Sequence, residues 1–168
     1  MKICTFFGHR DCPSNMKGLI RAAILEIIQY GVDLFYVGHQ GQFDAIGLSL
    51  LRELKANGLN FDYAVVLAYV PGSRKEDPFA EEWETLLPEG IEMVHPRYAI
   101  SWRNDWLLKH SECVIAYVDR PWGGAAKYLE KAERQSKKLI HIKTSPIRQD
   151  GAAACQKRAV IVMKKKPR

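Results

Sequence analysis

Three short stretches of this 168-residue chain set glycine beside side chains that grip anions or move protons. The first is Gly8-His9-Arg10, the second Gly38-His39-Gln40-Gly41-Gln42-Phe43-Asp44, and the third Pro121-Trp122-Gly123-Gly124-Ala125-Ala126-Lys127, with Glu130 a little further on. Glycine lets backbone amides approach a ligand, and His9 and Arg10 add donors suited to phosphate or carboxylate. Asp44 fits two roles, capping a helix or accepting hydrogen bonds from ribose hydroxyls. Gly123 and Gly124 at a helix start form an anion cradle, with Lys127 as counter-charge in the first turn. Glu130 is either a catalytic carboxylate on the ligand side or half of a surface pair with Arg134, four residues on. A fourth stretch supplies Arg103 and Asn104: a guanidinium fork for phosphate and an amide for ribose or base, with a surface pairing of Arg103 to Asp105 or Glu112 as the alternative.

The elements that position these residues follow from periodicity. Near-continuous apolar runs at 3–7, 34–37, 63–70, 91–94, 113–118 and 139–143 read as parallel strands covered on both faces. Helical patterns lie between them at 16–30, 43–57, 79–86, 98–110 and 125–136. This alternation predicts a Rossmann-like, doubly wound α/β fold: a mainly parallel sheet flanked by helices on both faces. In such sheets ligands bind beyond the carboxyl ends of the strands, where strand order reverses. The glycine-bearing stretches all follow strands, so they converge on that rim. Residues 1–145 are expected to form the domain. A polar loop is expected at 71–77, and residues 146–168 read as a linker, a last strand over 159–163 and a basic tail.

The order and spacing of these pieces resembles the SLOG superfamily of Rossmann-like proteins, above all its bacterial YpsA-like branch. Gly8-His9-Arg10, Gly41 with Asp44, Arg103-Asn104, His110-Ser111-Glu112 and Gly123-Gly124 carry the likeness, which spans about residues 2–144. A more distant likeness links the chain to the LOG (Lonely Guy) phosphoribohydrolases of nucleoside monophosphates. It implies Arg103 as catalytic arginine, Glu112 as the acid nine residues later, and Glu130 as catalytic glutamate. The chain departs from that pattern at Asn104, at Trp122 between Pro121 and the glycines, at Ala126 and at Lys127. The resemblance thus implies nucleotide-type binding more firmly than catalysis, and pairing of copies through helices beside the cleft.

Composition bounds the alternatives. The chain is 47% hydrophobic and 26% charged, the balance of a single globular domain. Its net charge of +6 comes from 25 basic and 19 acidic residues, and six of the basic ones lie in the stretch 156–168, so the remainder is neutral. Nucleic acid is therefore not an expected partner except through the tail. No apolar run approaches the roughly 20 residues of a membrane span, and no signal-peptide pattern follows Met1, so a cytoplasmic protein is expected. The four cysteines form no Cys-x-x-Cys pair, and neither a metal site nor a cofactor is expected. Cys12 reads as an accessible thiol that nothing activates, and no Gly-x-Ser-x-Gly elbow marks a serine hydrolase. Two functions stay open: binding or sensing of a nucleotide or nucleotide-derived ligand such as AMP or ADP-ribose, and hydrolysis of an N-glycosidic bond by Glu130 and Arg103.

Overall fold

A computed structural model describes residues 1–70, 84–146 and 157–164. Its strands are β1 (Ile3–Gly8), β2 (Leu34–Val37), β3 (Asp62–Val66), β4 (Thr85–Leu86), β5 (Cys113–Tyr117), β6 (Lys138–Pro146) and β7 (Lys157–Lys164). They form one sheet in the order β4-β3-β2-β1-β5-β6-β7, with β1 to β6 parallel and β7 antiparallel to β6. From β1 the chain winds outward to β2, β3 and β4. It then crosses back to place β5 on the other side of β1, so strand order reverses between β1 and β5. The fold is a doubly wound, Rossmann-like α/β sheet.

Among the described residues, four α-helices cover it: α1 (Lys17–Gln29), α2 (Gln42–Ala56), α3 (Ala99–Lys109) and α4 (Gly124–Arg134). Alternation along each strand divides the core in two. Cys4, Phe6, Phe35, Val37 and Ile115 point to the side of α1 and α2, where Ile20, Ile24, Ile27, Leu50 and Leu54 meet them. Phe7, Tyr36, Val114 and Ala116 point to the opposite side, against Leu107, Leu108, Tyr128 and Ala132 of α3 and α4. The recurrence Phe43, Ile46, Leu50, Leu51, Leu54 is the apolar stripe that seats α2 on the sheet, and all five residues are buried. Each such side chain, once buried, contributes about 1.5–3 kcal/mol.

Three expectations are corrected. The run 91–94 is not a strand: Ile91–Met93 is a 3-10 turn that follows Gly90 in the left-handed region (φ 88°), and only Ile91 is buried. The third strand ends at Val66 rather than at residue 70. The described end of the helix expected at 79–86 is β4, whose Thr85 and Leu86 pair with Val65 and Val66. The loop expected at 71–77, the rest of that helix, the linker at 147–154 and tail residues Lys165, Lys166 and Arg168 lie outside the described residues. Lys157, Arg158 and Lys164 of the expected tail region belong to β7, which pairs with β6 from Pro146↔Lys157 to Leu139↔Lys164.

Candidate functional site

The loops after β1, β2 and β5 and the inner side of α3 enclose a cleft of about 400 Å³ at the point where strand order reverses. Gly8, His9, Arg10, Gly38, Asp44, Arg103, Asn104, Gly123 and Gly124 all line it. Its floor is apolar, built by Phe6, Phe7, Ile100 and Leu107.

The glycines divide into two kinds. At Gly8 a Cβ would stand 2.2 Å from the ring of Phe43, and at Gly38 it would stand 2.4 Å from Arg103 Nη1 and 2.5 Å from Asp44 Oδ2. Gly8 and Gly38 are therefore hollows that seat protein side chains, not openings for a ligand to reach the backbone. Gly41 is a third packing glycine: φ is +124°, a Cβ would stand 2.6 Å from the Arg10 Cα, and Gln42 N–H donates to the Arg10 carbonyl at 2.9 Å. It locks the loops after β1 and β2 together and does not line the cleft. Gly123 (φ +95°) and Gly124 differ, since nothing lies within 4 Å of a Cβ built at either. They open α4, whose start has neither a side-chain cap nor an acid in its first turn. Its free amides and the positive end of the helix dipole thus meet the cleft bare.

Opposite stands Arg103, presented by α3 and only 2% exposed. Its Nη1 donates to the Val66 carbonyl at 3.1 Å, while its buried Nε has no partner among the described residues. Burial pushes its pKa down, countered by the charge of Asp44. Leaving such a donor unmatched costs about 1–3 kcal/mol, or more for a charged group, so this nitrogen needs an acceptor. Asp44 Oδ2 accepts from the Gln40 N–H at 3.0 Å, which fixes the loop after β2 rather than capping α2. Burial pushes the Asp44 carboxyl up, and the Arg103 guanidinium opposes that shift.

The loop after β5 is held at its root. The Arg120 guanidinium donates to both Asp11 carboxylate oxygens at 2.9 Å, and the Arg120 N–H reaches His9 Nε2 at 3.4 Å. Since Nε2 accepts, the proton of neutral His9 sits on Nδ1. Burial first, and then the Arg120 charge, hold His9 below its ordinary value.

Besides Gly41, two expected residues lie elsewhere. Lys127 is exposed, with Nζ 5.7 Å from the centre of the Tyr128 ring. Glu130 pairs with Arg134 at 2.5 Å and faces a separate shallow depression beside Asp119, Glu133 and His141. Cys12 is buried, not accessible, and its thiol is pushed up to about 12. Gln40, Arg120 and Trp122 join the cleft without having been singled out in the sequence. For Trp122 the signal was available: a tryptophan inside a Pro-Trp-Gly-Gly turn has no core to enter. Among the described residues, no group of His, Cys, Asp and Glu is arranged to hold a metal, and no helix is long and apolar enough to cross a membrane.

Fold and cleft together define a Rossmann-like α/β protein with a pocket at its topological switch point, apolar at its floor and charged at its walls. No protein-family model and no curated protein matches the chain.

Proposed function

We propose that this chain is a SLOG-type, YpsA-like module of the cytoplasm that binds a nucleotide or nucleotide-derived ligand such as AMP or ADP-ribose in the switch-point cleft. One observation carries the reading: the uncapped, glycine-opened start of α4 lines the same cleft as the guanidinium-bearing Arg103, a buried cation whose Nε has no partner among the described residues. An anion in that cleft would take amide hydrogen bonds from the start of α4, with the Arg103 guanidinium as its counter-charge. Asp44 and Asn104 supply the acceptor and the amide that sugar hydroxyls require. The order Gly8-His9-Arg10, Arg103-Asn104, Gly123-Gly124 supports the SLOG assignment, and the free thiols of Cys4, Cys12 and Cys113 suit a reducing compartment. Glycosidic hydrolysis is the weaker reading, because its carboxylate, Glu130, is engaged by Arg134 outside the cleft.

The test is a thermal-shift screen of the full chain against nucleotides and ADP-ribose. At a hundredfold excess over Kd a ligand that binds only the folded chain adds about 2.7 kcal/mol. For a chain of this size that raises Tm by roughly 5–11 °C. A panel with no stabilising compound overturns the proposal.

A further inference from the structure

We infer that Trp122 is the base-recognising residue of the cleft: an exposed indole on which the aromatic base of a nucleoside monophosphate stacks, making the site selective for phosphates that carry a base over bare sugar phosphates. The inference rests on the nucleotide-binding reading above and adds to it the residue that discriminates.

Trp122 is 66% exposed, yet it forms part of the cleft wall. Among the described residues it has no hydrogen bond, ring contact or cation partner. Trp106, by contrast, stacks on His110 with ring centres 4.1 Å apart and packs against Tyr36. A large apolar ring held in water beside a pocket is costly unless something covers it, and the surface at hand is the ligand's.

The backbone that carries the ring is also held in place. Pro121 fixes its own φ immediately before the tryptophan. Arg120 is tied to Asp11 by two hydrogen bonds and to His9 by its backbone, and on the other side the chain enters α4 at once. With the backbone anchored at both ends, a base that lands on the indole has only the side chain's two rotatable bonds to order, which limits the entropy lost.

Position sets the ligand class. Trp122 directly precedes Gly123 and Gly124, so the indole and the anion-binding amides share one wall, with neighbouring Cα atoms about 3.8 Å apart. A cleft of about 400 Å³ lies near the small end of ligand pockets, which span about 300–1,000 Å³. A mononucleotide matches this size: phosphate at the start of α4, sugar toward Asp44 and Asn104, base on the indole. Every base has a π face, so Trp122 separates base from no base without choosing among bases.

Calorimetry of the full chain with AMP and with ribose 5-phosphate tests this, alongside Trp122→Ala and Trp122→Phe. Base–aromatic stacking corresponds to roughly 5- to 150-fold in affinity. We expect AMP to bind at least tenfold more tightly than ribose 5-phosphate. Trp122→Ala should erase that preference while leaving ribose 5-phosphate binding unchanged, and Trp122→Phe should retain most of it. AMP should also quench tryptophan emission of the parent chain and fail to quench that of Trp122→Phe. Equal binding of the two ligands, or an equal loss of both in Trp122→Ala, overturns the role of Trp122 and leaves the phosphate site standing. If the parent chain binds neither compound, this inference falls, and the nucleotide reading falls with it when the wider nucleotide and ADP-ribose panel is also silent.

Discussion

Substituting alanine at Gly8 and at Gly124 should have opposite consequences, because the two glycines border the same cleft for different reasons. At Gly8 the new methyl would stand 2.2, 2.3 and 2.7 Å from three atoms of Phe43, including its Cβ. The ring cannot swing aside. It is 1% exposed and wedged between Phe6 and Tyr117, with ring centres 6.1 and 6.0 Å away, and its Cβ is fixed by the first turn of α2. Overpacking of this kind costs about 1–3 kcal/mol, and the backbone-anchored contact argues for the upper half of that range. At roughly 2–4 °C per kcal/mol for a chain of this size, Gly8→Ala should lower Tm by about 4–12 °C. At Gly124 the methyl meets open space, so stability should hold or rise by about 0.4–1 kcal/mol through the unfolded chain. The same methyl shields the first amides of α4, and AMP affinity should drop at least tenfold. Circular-dichroism melts and calorimetry on the two variants settle both halves. A Gly8→Ala melt within 1 °C of the parent, or Gly124→Ala binding AMP at parental affinity, refutes this division of the glycines.

Gly41→Ala should destabilise more than Gly8→Ala, since its φ of +124° and the Arg10 Cα at 2.6 Å leave only backbone to give way; comparative melts decide it. His9 is held below its ordinary value near 6.5, so the folded chain keeps it neutral while the unfolded chain takes up the proton first. Stability should therefore fall as pH drops through 6.5 toward the lowered folded value, and His9→Gln should flatten this part of a Tm–pH profile. An unchanged profile contradicts the neutral assignment. Glu130→Gln should leave AMP affinity within twofold of the parent, because it removes a surface pair with Arg134; a tenfold loss in calorimetry would place that carboxylate in the binding reaction.

The parallel sheet was legible because its central strands, buried on both faces, are written as unbroken apolar runs, and the four described helices begin and end within two residues of the expected positions. The run 91–94 looked equally apolar, but four residues after a left-handed glycine are too few to decide between a strand and a turn. What the sequence concealed at Gly8 and Gly38 was the identity of the filler. Phe43 lies 35 residues from the first and Arg103 65 from the second, and no local pattern announces which side chain a hollow receives. The phase of α4, however, was readable. Ala125, Tyr128, Leu129 and Ala132 mark its buried stripe, and that stripe alone turns Glu130 outward. The cleft's position followed from topology; the bidentate hold of Asp11 on Arg120 did not, because it joins side chains from distant loops.

The place of β1 between β2 and β5 also bears on how the chain is made. β2 follows β1 after one helix, but the partner on its other flank begins at Cys113, and Ile3 waits for Glu112, 109 residues downstream. At the pace of ribosomal synthesis, about 5–20 residues per second, that flank of β1 stays unpaired for roughly 5–20 s. Throughout that interval a run of apolar residues presents open hydrogen-bonding groups, a template for unwanted pairing with other nascent chains. Expression yield should then respond to whatever shields β1 during translation, chaperone supply or lower temperature, more than to the stability of the finished molecule.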